Sequence, residues 1–235
     1  MNKPEIIIAM DLPNKRAVDQ LINQFPATES LYLKVGMELY YKEGPAIVTY
    51  LKSKGHRIFL DLKLHDIPNT VKSAMRSIAS LGVDLTNIHA AGGKKMMEAA
   101  VEGLMEGSPD GKRPLIIAVT QLTSTSTEIM NQEQGIPGEV ADSALNYAKL
   151  AKAAGLDGVV CSVHEAMKIH NVCGDDFIAL TPGIRLAGDD ANDQVRVATP
   201  AVAKVEGSNY IVVGRSVTQA ESPYEAYRRV QADLD

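Results

Sequence analysis

The sequence predicts an α/β chain of the (β/α)8 barrel class, folded as a single domain over residues 1–235. Three observations predict it. Short β-branched apolar runs recur eight times, and amphipathic stretches fill most of the gaps between them. The runs are apolar throughout rather than alternating, as befits parallel strands buried on both faces. The chain has the length of one nearly unadorned barrel, a fold of typically ~250 residues. A doubly wound open sheet is the competing architecture for such units, and the eight repeats favour the closed one.

The strands are expected near Ile6–Met10, Tyr32–Gly36, Arg57–Leu62, Leu85–Ile88, Leu115–Val119, Gly158–Cys161, Phe177–Leu180 and Asn209–Val213. The amphipathic stretches are Val18–Gln24, Pro45–Lys54, Thr70–Ser80, Met96–Met105, Val140–Ala153, Glu165–Asn171 and Tyr224–Ala232. No Pro-, Gly- or Ser-rich linker divides the chain. Two polar stretches interrupt the pattern: Gln121–Gly138 (QLTSTSTEIMNQEQGIPG) and Gly183–Asn192 (GIRLAGDDAN). Long loops in a compact domain are often lids or binding loops. These two follow the fifth and seventh strands, on the face where barrels keep their active sites.

Composition removes several function classes. The 24 Lys and Arg against 29 Asp and Glu leave a net charge of −5, so a nucleic-acid partner, which needs a basic surface, is not expected. An anionic small molecule is still allowed, because a local pocket can be positive on an acidic body. No apolar run approaches the ~20 residues of a membrane span. The opening MNKPEIIIAMDL meets Asp11 instead of a small-residue cleavage site, which is not a secretory signal. Two cysteines, Cys161 and Cys173, make no disulfide framework, and they suit a reducing, cytoplasmic compartment. With no Trp and only 3 Phe, the core must be aliphatic and methionine-containing.

The densest charge constellation is Asp61-Leu62-Lys63-Leu64-His65-Asp66 at the end of the third strand. Residues two apart on a strand share a face, so Asp61 and Lys63 should both point into the barrel mouth. A solvated strand end is the plain alternative. Phe59-Leu60 before the charges, and Leu62 and Leu64 between them, argue instead for charge placed where desolvation is costly and partners are needed.

The run Asp61-Leu62-Lys63-Leu64-His65-Asp66-Ile67-Pro68-Asn69-Thr70 resembles the signature of the orotidine 5′-phosphate decarboxylases. A bare D-x-K-x-x-D would be less specific, since related sugar-phosphate decarboxylases and aldolase-like barrels carry it; Ile67-Pro68-Asn69-Thr70 points to the nucleotide enzyme. The likeness continues in order along the chain. Ile8-Ala9-Met10-Asp11 resembles the family's first strand end, Leu33-Lys34-Val35-Gly36 its second, and Asn87-Ile88-His89-Ala90-Ala91-Gly92-Gly93 its fourth. Thr181-Pro182-Gly183-Ile184-Arg185 matches the seventh, and Val212-Val213-Gly214-Arg215-Ser216 the eighth.

The resemblance implies removal of the C6 carboxylate of orotidine 5′-monophosphate as CO2, leaving uridine 5′-monophosphate, in pyrimidine nucleotide synthesis, with no metal or organic cofactor. The chemical difficulty is a C6 carbanion without an electron sink, which calls for fixed charges already in place. On this reading Lys63 stabilises the carbanion and protonates it. Asp61 lies near the substrate carboxylate, Asp11 holds the ribose, and Lys34 bonds the ribose hydroxyls and neutralises neighbouring carboxylates. Asp66 and Thr70 resemble residues that reach the site from a second subunit, which implies a homodimer. At the phosphate end, Gly214 and Arg215 follow the eighth strand, where barrels commonly bind phosphate. Arg185 and Gln194 match the family's phosphate-side loop. Pro182 belongs to the same strand end, and Thr123 resembles a hydroxyl that contacts the pyrimidine and that loop. Closure of Gly183–Asn192 over the phosphate would expel water from the cluster. The nearest alternative is a metal-assisted β-keto sugar-phosphate decarboxylase of the same barrel group; a catalytically silent nucleotide-binding protein is another.

Other residues read as structural. His65, set between Leu64 and Asp66, reads as structural and is expected to point away from Lys63. His89 reads as a hydrogen-bonded structural imidazole. His164-Glu165 lacks the H-E-x-x-H spacing, and no grouping has metal-ligand spacing. Cys161 reads as buried packing. Gly92-Gly93-Lys94-Lys95 lacks the Walker pattern, and Met96-Met97 are ordinary helix residues.

Overall fold

The computed structural model describes residues 3–186 and 198–235. Eight parallel strands close into a barrel in the order β1 to β8, each hydrogen-bonded to its sequence neighbours and β8 returning to β1. The strands are β1 (Glu5–Ala9), β2 (Tyr32–Gly36), β3 (Arg57–Leu64), β4 (Leu85–His89), β5 (Leu115–Val119), β6 (Gly158–Val160), β7 (Ile178–Ile184) and β8 (Tyr210–Val213). This is the (β/α)8 architecture that the eight runs predict.

The helices are α1 (Lys15–Ile22), α2 (Met37–Glu43), α3 (Pro45–Ser53), α4 (Pro68–Ala79), α5 (Gly93–Glu106), α6 (Thr127–Gln132), α7 (Val140–Ala153), α8 (Val163–Cys173), α9 (Pro200–Val205), α10 (Arg215–Thr218) and α11 (Pro223–Asp233). Their starts are chemically marked. The Asn14 side chain accepts from Ala17 N, and the Ser126 hydroxyl from Ile129 N. Glu165 reaches back to Ser162 N at 2.8 Å. Proline opens α3, α4, α9 and α11, where a missing N–H costs nothing. Four short helices depart from the expected pattern: α2, α6, α9 and α10. Of these, α6 forms inside the stretch expected to be irregular.

The strands' two faces bury different residues. Ile7, Tyr32, Phe59, Leu85, Ile117, Leu180 and Val212 fill the barrel interior. Their neighbours, such as Ile8, Leu33, Leu60, Ile116, Ala179 and Ile211, pack outward against the helices. Near the N-terminal ends of β3 and β5, the Asp84 and Asp157 carboxylates accept the Ile58 and Ile116 backbone N–H groups, each at 2.7 Å.

At the other end the ladder is irregular in two places. The β3–β4 register shifts between Leu60 and Leu64, and the β7–β8 register between Thr181 and Ile184. Both strands run further than expected: β3 to Leu64 instead of Leu62, and β7 to Ile184 instead of Leu180. Such bulges re-aim side chains near active sites. They lie where the predicted site residues are.

Candidate active site

The C-terminal mouth of the barrel holds a cavity of about 490 Å³. Its floor is the top of the apolar interior: Phe59, Val160, Leu180 and Val212. Around the rim stand Asp11, Lys34, Asp61, Lys63, Thr123, Pro182, Arg185, Gly214 and Arg215. Nine of the twelve predicted site residues thus converge on one cavity. Among the described residues four cations there face two carboxylates, a local excess of positive charge on an acidic chain.

One side of the rim is an alternating chain of charges. The Lys34 ammonium lies 2.9 Å from Asp11 Oδ1 and 3.3 Å from Asp61 Oδ2. The Lys63 ammonium lies 2.7 Å from Asp61 Oδ1. Burial is deepest in its middle: the Asp11 side chain is 63% exposed, Lys34 and Asp61 are at 11% and 9%, and Lys63 is at 29%. Strand geometry explains the order. Phe59, Asp61 and Lys63 alternate inward along β3, Lys34 pairs with Phe59 across the ladder, and Asp11 follows β1. Gly36 leaves room for the pair: a side-chain carbon there would stand 3.1 Å from Asp11 Oδ1 and 3.2 Å from Lys34 Nζ.

Electrostatics hold these groups ionised. Burial opposes the Asp61 anion, but the charges of Lys34 and Lys63, with hydrogen bonds from Lys63 and Asn87, keep its carboxyl below the ordinary 3.8. Burial likewise opposes the Lys34 cation, and Asp61 and Asp11 outweigh it, so its pKa rises above 10.5. An alternating cluster avoids the unpaired buried charge that would otherwise cost several kcal/mol.

Lys63 is unusual in its backbone too. Among the described non-glycine residues it alone has a positive φ, 52°. The left-handed region costs a residue with a side chain roughly 1–2 kcal/mol. It falls within the β3–β4 register shift.

The opposite side of the rim carries Arg185 and Arg215. Arg185 is 9% exposed and its Nη1 donates to Ile184 O at 2.9 Å. Arg215 opens α10 directly after Gly214. Among the described residues a side-chain carbon at Gly214 would meet only Ala9, at 3.7 Å, and Gly214 lines the cavity. Gln194 and most of Gly183–Asn192 lie outside the described residues.

Two predicted residues stand apart from the cavity. Asp66 and Thr70 are exposed, and the Asp66 carboxylate accepts the Ile67 backbone N–H at 2.6 Å. Within one chain the charge network is therefore Asp11–Lys34–Asp61–Lys63, without Asp66. His65 is also exposed. The ring of His89, expected to be a structural imidazole, lies 5.6 Å from that of His65. Burial, then His65 and Lys63, lower its pKa below 6.5. Cys161 is buried as expected, and it also lines the cavity. Among the described residues no group of three or more His, Cys, Asp or Glu could hold a metal ion, and no helix is long and apolar enough to cross a membrane.

The model of the Orotidine 5′-phosphate decarboxylase / HUMPS family matches residues 4–230. The chain belongs to this family. An orotidine 5′-phosphate decarboxylase of Bacillus cereus (strain AH187) is 63% identical over 227 residues, 96% of this chain and 95% of its own. One from Bacillus cytotoxicus is equally similar, at 63% over 227 residues. Among solved structures, the orotidine 5′-phosphate decarboxylase of Lactobacillus acidophilus superposes with a TM-score of 0.89 at 40% identity, covering 100% of both chains. An uncharacterized conserved protein from Geobacillus kaustophilus gives 0.88 at 50%, over 98% of this chain and 100% of its own.

Sequence reasoning missed four polar residues of this decarboxylase-family site: Asn87, Gln121, Thr218 and Gln219. Asn87, which lines the cavity at 1% exposure, had no role beyond its place in a motif. Gln121 also lines it, 6% exposed, its Nε2 donating to Ser143 Oγ at 3.0 Å. A polar residue inside an apolar strand was the available signal for Asn87; Gln121 was hidden in a polar loop.

Proposed function

We propose that the barrel mouth decarboxylates orotidine 5′-monophosphate to uridine 5′-monophosphate and CO2, a carboxy-lyase step of pyrimidine nucleotide synthesis, with Lys63 as the acid. The observation that carries this is the Lys63 ammonium at the rim of an apolar-floored cavity, held 2.7 Å from a buried, ionised Asp61. The C6–carboxylate bond breaks and its electron pair stays on C6. Lys63, already charged and oriented, stabilises that pair and then gives it a proton; the neutral amine regains a proton from solvent. Preorganised charge of this kind needs no reorganisation as the reaction proceeds. Asp61 faces the substrate carboxylate, which loses its charge to C6 as CO2 departs. Asp11 and Lys34 hold the ribose. Arg185, Arg215 and the backbone at Gly214 grip the phosphate, with Thr123 and Pro182 along the pyrimidine side and Gln194 on the phosphate-side loop. Binding energy from the remote phosphate is then used at the reacting carbon.

The protein works as a homodimer in the cytoplasm. The exposed Asp66, Ile67 (67% exposed) and Thr70 support this reading, since they stand beside the cavity without entering it and leave an apolar side chain to be covered. Asp66 and Thr70 complete the partner's site. Mixing Lys63→Ala with Asp66→Ala tests it. If each is inactive alone, the mixture regains about a quarter of wild-type turnover, because half the dimers are mixed and each mixed dimer has one intact site. No recovery after subunit exchange removes the shared site.

The reaction itself is tested by the loss of orotidine 5′-monophosphate absorbance in the presence of a chelator. Turnover is expected to persist unchanged. Turnover lost with chelator and restored by a divalent ion points to the metal-assisted sugar-phosphate chemistry. No turnover at high protein concentration points to a silent nucleotide-binding protein.

A further inference from the structure

We infer that Asn87 is a positioning residue for the reaction, locking the left-handed turn at Lys63 and the carboxylate of Asp61 with one side chain. This rests on the decarboxylase reading above.

Asn87 sits on β4, facing the site from the neighbouring strand, 1% exposed. Its Oδ1 accepts the Lys63 backbone N–H at 2.9 Å, and its Nδ2 donates to Asp61 Oδ1 at 2.7 Å. The same Asp61 oxygen receives the Lys63 ammonium, also at 2.7 Å. Backbone, ammonium and carboxylate are therefore fixed by a closed ring of three contacts. The ring lies where the β3–β4 register shifts between Leu60 and Leu64. Polar side chains of β4 serve the displaced backbone there. Thr86 Oγ1 donates to Leu60 O at 3.1 Å, and Asn87 takes the Lys63 N–H. A part-buried N–H left without an acceptor is costly, and the positive φ of Lys63 adds its own strain. Asn87 offsets both.

The chemistry of the residue is constrained at each end. The backbone N–H needs an acceptor and the carboxylate needs a donor. A primary amide of this length offers one of each. A carboxylate in its place would keep the acceptor but set a second negative charge against Asp61 Oδ1. A protonated carboxyl would restore the donor. The three states are nearly isosteric, so the role can be separated from the packing.

The test is steady-state kinetics of Asn87→Ala and Asn87→Asp beside wild type across pH, with thermal melting of each. For Asn87→Ala we expect kcat roughly 10- to 100-fold lower with KM changed by less than about threefold, since the acid is misplaced while ribose and phosphate contacts survive. For Asn87→Asp we expect a larger loss at neutral pH and a kcat ratio to wild type that recovers as the introduced carboxyl protonates. If the alanine variant does not fold, the pH recovery of the aspartate variant decides alone. A kcat equal to wild type in Asn87→Ala, or a ratio flat with pH in Asn87→Asp, overturns the assignment while leaving the decarboxylase reading intact. Absence of turnover in wild type itself takes both down.

Discussion

The two ends of this barrel are built from the same strands and treat charge in opposite ways. At the N-terminal end, the floor of the barrel as distinct from that of the cavity, Arg57 pairs with Glu5 and lies 4.1 Å from the Tyr32 ring, which meets Tyr210 edge-on at 6.0 Å. The Arg57 and Glu5 side chains are 42% and 50% exposed, so water already solvates them. At the mouth, β1, β2 and β3 lead to Asp11, Lys34, Asp61 and Lys63, of which Lys34 and Asp61 are nearly out of water. The floor uses charge as a solvated lid over an apolar stack. The mouth holds charge in a low-dielectric setting, where each group depends on its neighbours and where a field can act on a substrate. Removing a charge should therefore cost little at the floor and much at the mouth.

The comparison breaks most visibly at Lys63. Lys63→Ala is expected to abolish measurable turnover while the far-ultraviolet circular dichroism stays that of the folded barrel; near-wild-type activity would reassign the acid. Arg215→Ala should lower kcat/KM by about 1.5–3 kcal/mol, the scale of a hydrogen bond to a charged group. Unchanged efficiency in that variant would remove phosphate gripping from the mechanism.

Asp61→Asn tests the buried network through pH. The folded Asp61 carboxyl titrates below 3.8, so it contributes stability that is present above that value and fades as pH falls through the lower, folded value. Lys34 titrates above 10.5 when folded, so its share is present below 10.5 and fades as pH rises through the raised value. The melting-temperature gap between wild type and Asp61→Asn should be level through the neutral range and close below pH 3.8. A gap independent of pH would mean that ionised Asp61 does not stabilise the fold. The smallest effect belongs to the floor. Arg57→Ala should cost about 1 kcal/mol, as exposed ion pairs and cation–π contacts do, with kcat unchanged. A large loss of turnover there would show that the two ends are coupled.

Much of this was readable from the residues. Strands of a closed parallel barrel are buried on both faces, so Ile6–Ile8 or Ile116–Val119 announce themselves as unbroken apolar runs. The ends of β3 and β7 did not, because charges and Pro182 interrupt the apolar signal while the chain stays extended. Helices α2 and α9, at 7 and 6 residues, are too short to show a helical period. In the site, Asp61 and Lys63 were legible from alternation, and Arg185 and Arg215 from their motifs. The left-handed φ of Lys63 was not legible, because only a glycine there would have signalled it. Nor was the double grip of Asn87, since one polar residue on a strand has no period.

The backbone of Lys63 sets stability and chemistry against each other at one position. Elsewhere glycine is the more destabilising replacement; here Lys63→Gly should melt higher than Lys63→Ala, by about 1 kcal/mol of stability, because it alone is at ease at φ 52°. A lineage selected for heat tolerance without need of its product would drift towards glycine at residue 63. The lysine at residue 63 thus carries a backbone conformation that a glycine would hold without strain, and what it gains is the placement of its ammonium beside Asp61.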